Sequence, residues 1–106
     1  MEVNLNDVTV THNEEAHRFE ASIGGHRAFI TYSRFPGRIV YIHTEVPPPI
    51  EGQGVAAKLT RVALDFARVH HLRVVPLCPY VSNLIRNHPE YQDLVSSDDL
   101  QKLLSR

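Results

Sequence analysis

Three consecutive prolines, Pro47, Pro48 and Pro49, end the apolar run RIVYIHTEV at residues 38–46. A proline offers no backbone donor to a ladder, so a strand arriving here has to stop. Gly52 and Gly54 then bracket Gln53, and from residue 54 onward the spacing of apolar residues changes. Val55, Leu59, Val62, Phe66 and Val69 recur at helical spacing, which predicts one apolar stripe on a helix of roughly four turns closed by His70 and His71. A strand that must end and a helix that must begin, joined by a loop with two glycines, restrict the chain to a mixed fold.

The flanking segments agree with this. Residues 8–12, 17–23 and 26–33 read as strands, and Gly24-Gly25 reads as a two-residue hairpin turn, because both positions tolerate positive φ. Residues 34–37, Arg-Phe-Pro-Gly, form the next turn. The strand after it carries Ile39, Val40, Tyr41 and Ile42, apolar on both faces, and is expected to be covered on each side. Its far end turns polar, and the two-residue period places His43 and Glu45 on one face.

Beyond the helix, LRVVPLC predicts a short buried strand containing Val74, Val75 and Leu77, ended by Pro79. Residues 80–87 predict a second helix with Tyr80, Leu84 and Asn87 along one side, stopped by Pro89. Asp98 with Gln101 resembles a capping box for a tail helix that docks through Leu100, Leu103 and Leu104. Antiparallel strands followed by helix, strand and helix make an α+β, mixed α/β layer fold, and 106 residues make residues 1–106 a single domain.

Composition narrows the function classes. Eleven Lys and Arg balance twelve Asp and Glu, which leaves no basic field for a phosphate polymer and excludes nucleic acid as a main partner. No apolar run is long enough to cross a bilayer, so no membrane role is expected. Cys78 is the only cysteine and the amino terminus carries no basic-then-apolar leader pattern, which points to a reducing, cytoplasmic location. Seven histidines invite a metal site, but none is paired with carboxylates at ligand spacing, and no metal is expected. Nothing in the pattern specifies an oligomeric state.

The glycine loop admits two readings: a turn from strand to helix, or an anion cradle made by unpaired amides at a helix start. Gly52, Gly54 and Ala57 imitate a dinucleotide fingerprint, but prolines occupy its approach and Val74 to Cys78 stand where its acidic residue belongs. A nucleoside-triphosphate loop fails as well, because Lys58 is followed by Leu59 rather than Ser or Thr.

Three stretches together, HTEVPPPIEGQGVAAKL, VVPLCPYV and RNHPEYQDLV, resemble the minimal, YjdJ-type branch of the GCN5-related N-acetyltransferases over nearly the whole chain. The resemblance implies acetyl-CoA, or coenzyme A, as cofactor. Residues 51–56 would wrap its pyrophosphate with main-chain amides, through Gly52, Gln53, Gly54, Val55 and Ala56. Glu51 departs from the usual Gln or Arg at the start of that pattern. The resemblance further implies that residues 39–46 and 73–77 splay apart around the pantetheine arm, with Thr44 and Val46 on one side of the gap, and that Asn83 contacts the cofactor.

Four side chains are candidates for chemistry near that gap. His43 and Glu45 are alternative acceptors for the amine proton. Tyr80 is a candidate donor to the departing thiolate, with packing as the competing role. Cys78 either lines the thioester pocket or carries the acetyl group as an intermediate activated by His43; direct attack by the amine is the family's usual route. Arg86 and His88 read as a solvated face rather than phosphate ligands. The expected activity is acetyl transfer to a small amine, polyamine or peptide amine. The competing reading is a coenzyme A-binding module with little catalysis, acting as a sensor or interaction subunit, and a Cys/His hydrolase lacks an identifiable orienting acid.

Overall fold

The computed structural model describes residues 1–105, and its centre is a five-stranded sheet in the simple order β1-β2-β3-β4-β5. The strands are β1 (Thr11–Asn13), β2 (Arg18–Ile23), β3 (His26–Phe35), β4 (Arg38–Glu45) and β5 (Arg73–Pro76). Helices α1 (Val55–Val69), α2 (Pro79–Asn87) and α3 (Ser97–Leu104) follow, with short 3-10 turns at Leu5–Asp7, Pro48–Ile50 and Pro89–Leu94. The first four strands pair antiparallel and β5 joins β4 in parallel. This is the α+β layer architecture that the sequence implies.

Gly24 and Gly25 sit at φ 55° and 81°, which permits the tight turn and sets the β2–β3 register. β1 begins later than expected, at Thr11 rather than Val8, because residues 5–7 wind into a 3-10 turn first. β3 runs on to Phe35, so Pro36 and Gly37 alone make the turn into β4.

Helix α1 has the bounds its periodicity indicates, but its buried face is rotated from the expected stripe. Val55, Leu59, Thr60, Ala63, Leu64 and Ala67 are buried, Val62 and Phe66 are partly covered, and Val69 is exposed. Alanines at 63 and 67 let the helix lie close on the sheet, and the Tyr41 hydroxyl donates to the Ala63 carbonyl at 2.5 Å. Burial pushes that hydroxyl's pKa far up, so it serves as a neutral donor.

Two further faces differ from expectation. In α2 the buried residues are Val81, Ser82, Leu84 and Ile85, and Tyr80 and Asn87 face solvent, because the helix packs on both α1 and β5 rather than on one neighbour. In α3 the N-cap is Ser96, whose hydroxyl accepts from the Asp99 amide at 3.1 Å, instead of Asp98. Leu103 is buried there, Leu100 is partly covered and Leu104 is exposed.

The largest departure is in β4, which is covered on one face only. Opposite Thr31 and Tyr32 of β3 stand His43 and Tyr41, so Ile42 is the extra residue of a β-bulge. The bulge resets the alternation: Ile39, Tyr41 and Thr44 all point to the helix side. Phe29, Thr31, Val40 and Val75 lie half-buried on the opposite face, and Ile42 and Leu77 are exposed. Leu77 is excluded from β5, which ends at Pro76. No helix among the described residues is long and apolar enough to cross a membrane.

Candidate functional site

β4 and β5 pair over four residues, from Arg38 and Arg73 to Tyr41 and Pro76. There the pairing stops. The Leu77 and Cys78 amides both donate to the single carbonyl of Tyr41, at 3.1 and 3.0 Å, and the chain turns off into α2. Residues 43–45 continue β4 with no partner on that side among the described residues, so the two strands part there.

Prolines 48 and 49 open a 3-10 turn after β4, and Ile50 at its end is fully buried, which anchors the loop to the core. Gly52 has φ 73° and Gly54 has φ 86°, a left-handed region that side chains with a Cβ enter only at a cost. Gly54 is the N-cap of α1 and supplies no side-chain acceptor, and the first turn contains no acidic residue. The opening amides of α1 are therefore left without side-chain partners where the helix dipole places partial positive charge.

A cavity of about 330 Å³ lies against these amides, lined by Val46, Glu51, Gly52, Gly54, Val55, Ala56, Ala57 and Tyr80. Four elements meet here: the end of β4, the glycine loop, the start of α1 and the first turn of α2. The set fits a phosphate-bearing ligand with an extended apolar arm, since amides and glycines form one wall and Val46 and Tyr80 others. Glu51 is the one acidic lining residue.

The remaining candidates fall into three places. His43 and Glu45 are exposed on the uncovered sheet face, beside Thr31 and Phe29 respectively, and the His43 ring stands edge-on to Phe29 at 6.4 Å. Thr44 and Cys78 are on the helix side, both buried, with Thr44 Oγ1 and Cys78 Sγ 3.0 Å apart. Strand neighbours project to opposite faces, so the polar contact of Cys78 is Thr44 and not His43. Tyr80 is 52% exposed at the cavity mouth rather than packed in the core.

Gln53 and Asn83 do not line the cavity. The Gln53 side chain turns back to the amino-terminal segment, accepting from the Val3 amide at 2.7 Å and donating to the Met1 carbonyl at 2.5 Å. Asn83 is exposed on α2 and accepts from Arg86. His88 is engaged on both ring nitrogens, 2.8 Å from the Leu84 carbonyl and 3.1 Å from Arg61 Nη2, which fits a neutral ring donating through Nδ1. Ala57 entered the sequence reading only within the rejected dinucleotide fingerprint, and the Thr44–Cys78 contact did not enter it at all. Ala57 continues the small-residue run after Gly54 and could have been found from it, whereas a contact across 34 residues leaves no local signal.

A parallel strand pair that opens beside an uncapped, glycine-led helix is the arrangement of acetyltransferases of the GCN5-related type. Residues 18–94 match the family model described as GCN5-related N-acetyl-transferase, and the chain belongs to that family. Among individual proteins it is similar to Protein NATD1 of Bos taurus, 33% identical over 85 residues that cover 77% of this chain and 75% of the relative. Protein NATD1 of Homo sapiens is 32% identical over 85 residues, with 77% and 75% covered. The Danio rerio form is 25% identical over 103 residues, 89% of this chain and 94% of the relative.

Proposed function

We propose that this chain binds acetyl-CoA in the cavity between Val46, the Gly52–Gly54 loop and Tyr80 and transfers its acetyl group to an amine. The observation that carries the reading is the end of β4–β5 pairing at Tyr41 and Pro76 next to amides that no side chain caps. Membership of the acetyltransferase family supports it.

The amides of residues 54–56 hold the pyrophosphate, and the unpaired edge of β4 at Thr44, with Val46 just beyond the strand's end, offers main-chain groups to the amides of the pantetheine arm. When bound, the cofactor supplies a thioester carbonyl as electrophile. Glu45 or His43 takes the amine's proton as the C–N bond forms, and Tyr80 gives its hydroxyl proton to sulfur as the C–S bond breaks. Cys78 is 1% exposed, in contact with Thr44 and absent from the cavity lining, which favours direct attack over an acetyl-cysteine intermediate. The uncovered face beside His43 and Glu45 leaves the acceptor side open to a small amine, a polyamine or a peptide amine.

Calorimetric titration with acetyl-CoA, followed by acetylation assays on polyamines, amino acids and lysine peptides, tests the reading. Binding with turnover supports it, and Tyr80→Phe then lowers kcat by about 10²–10⁴. Binding without any acetylated amine would favour the cofactor-binding module. No binding at all sinks both.

A further inference from the structure

The glycine loop has two sides. Gly52 and Gly54 face the cavity, whereas Gln53 between them faces the first five residues of the chain. Its side-chain amide behaves like a short strand partner, joining the Met1 carbonyl and the Val3 amide. One turn along α1, Lys58 donates from Nζ to the Leu5 carbonyl, so a cation that would oppose the helix dipole is occupied by the same segment. Leu5 itself packs on the loop: a Cβ at Gly54 would lie 2.9 Å from Leu5 Cδ1. Four contacts thus reach across about fifty residues to a loop whose own backbone sits in two left-handed conformations.

We propose that Met1–Leu5 is a brace that holds the Gly52–Gly54 amides in the geometry the cavity requires, with Gln53 and Lys58 as positioning residues. Two left-handed residues in series make an intrinsically soft loop, and a helix start without a side-chain cap is prone to fray. Side-chain contacts from the far side restrict both without entering the cavity. The family match begins at residue 18, so this brace lies outside the segment that defines the fold. The inference rests on the acetyl-CoA reading for its ligand but not for its mechanics.

The experiment therefore has a ligand-free arm. Amide hydrogen exchange is followed in the intact chain and in Val3→Pro, Leu5→Ala and Gln53→Ala, with the β2–β3 amides as internal reference. Exchange at Glu51 and Lys58, whose amides are held by the Pro48 and Gly54 carbonyls at either end of the loop, should rise about tenfold in Val3→Pro and Leu5→Ala, the loss of roughly one hydrogen bond or contact, and at least as much in Gln53→Ala, which gives up two, while the reference stays unchanged. A rise shared equally by the reference, or no rise, overturns the brace. In the second arm the acetyl-CoA Kd should rise about tenfold in Val3→Pro and in Gln53→Ala, and no further in the double variant. Additive losses would mean that Gln53 touches the ligand directly, which overturns its positioning role. Local loosening in a protein that binds no acetyl-CoA in any form would uphold the brace and reject the cofactor reading instead.

Discussion

Gly54→Ala separates two costs that the loop imposes on any side chain. Gly52 and Gly54 share left-handed backbone, at φ 73° and 86°, but their surroundings differ. A Cβ at Gly52 meets nothing within 4 Å, whereas one at Gly54 comes within 2.9 Å of Leu5 Cδ1. Alanine at 52 should therefore carry only the conformational cost, roughly 1–2 kcal/mol. At 54 the same cost is joined by the displacement of Leu5. For a domain near this size 1 kcal/mol moves Tm by about 4–8 °C, so Gly52→Ala should melt roughly 4–16 °C below the parent and Gly54→Ala lower still. Adding Leu5→Ala to Gly54→Ala should remove the contact part and bring the double variant to the sum of Leu5→Ala and the conformational cost alone. Asparagine, which tolerates this backbone region, should recover part of the loss at 52. Thermal unfolding by circular dichroism reads all six proteins, parent included. If Gly54→Ala melts no lower than Gly52→Ala, or if trimming Leu5 relieves nothing, then the packing of the amino-terminal segment on the loop is not what restricts position 54.

Acetyl-CoA at a hundred times its Kd should stabilise the parent by about 2.7 kcal/mol, a Tm rise of roughly 10–20 °C for a chain of this length; an unchanged Tm would count against binding. Tyr41→Phe should cost about 0.5–1.5 kcal/mol, because it deletes a buried donor while the Ala63 carbonyl keeps its place in the helix, and chemical denaturation would measure it. Cys78 should react with iodoacetamide only as fast as the protein opens, since its sulfur is buried against Thr44; alkylation at the rate of a free thiol in the native state would contradict that packing. His12 stacks on Phe19 at 4.3 Å with Nε2 2.5 Å from the Tyr32 hydroxyl, and burial holds its pKa below 6.5, with Arg34 and His70 adding to the effect and Glu14 opposing it. Its neutral form therefore contributes stability in full above pH 6.5, lost as pH falls through the lower folded value. His12→Phe should flatten the Tm-against-pH curve in that window.

Several features were legible because their causes are local. Two adjacent glycines between alternating strands defined the β2–β3 turn, and the onset of helical spacing after Gly54 placed α1 to the residue. The proline run marked the end of β4, and the same stretch pointed to the loop that now lines a cavity. Faces were read less well. Val69 looked like part of the buried stripe but projects into solvent, because the sheet meets α1 along Ala63 and Ala67. Leu77 looked like a strand residue, yet β5 ends at Pro76 once the next two amides converge on the Tyr41 carbonyl.

What the chain's order of residues determined by itself is the set of elements and the place of the glycine loop, since turns, breaks and helical periodicity act over a few residues. Only the tertiary structure decided which side of β4 is covered, that Thr44 rather than His43 meets Cys78, and that Gln53 holds the amino-terminal segment. The physical reason is the same in each case. A bulge at Ile42 turns the side chains beyond it, and contacts spanning 34 and 50 residues are chosen by packing, for which no neighbouring residue carries a sign.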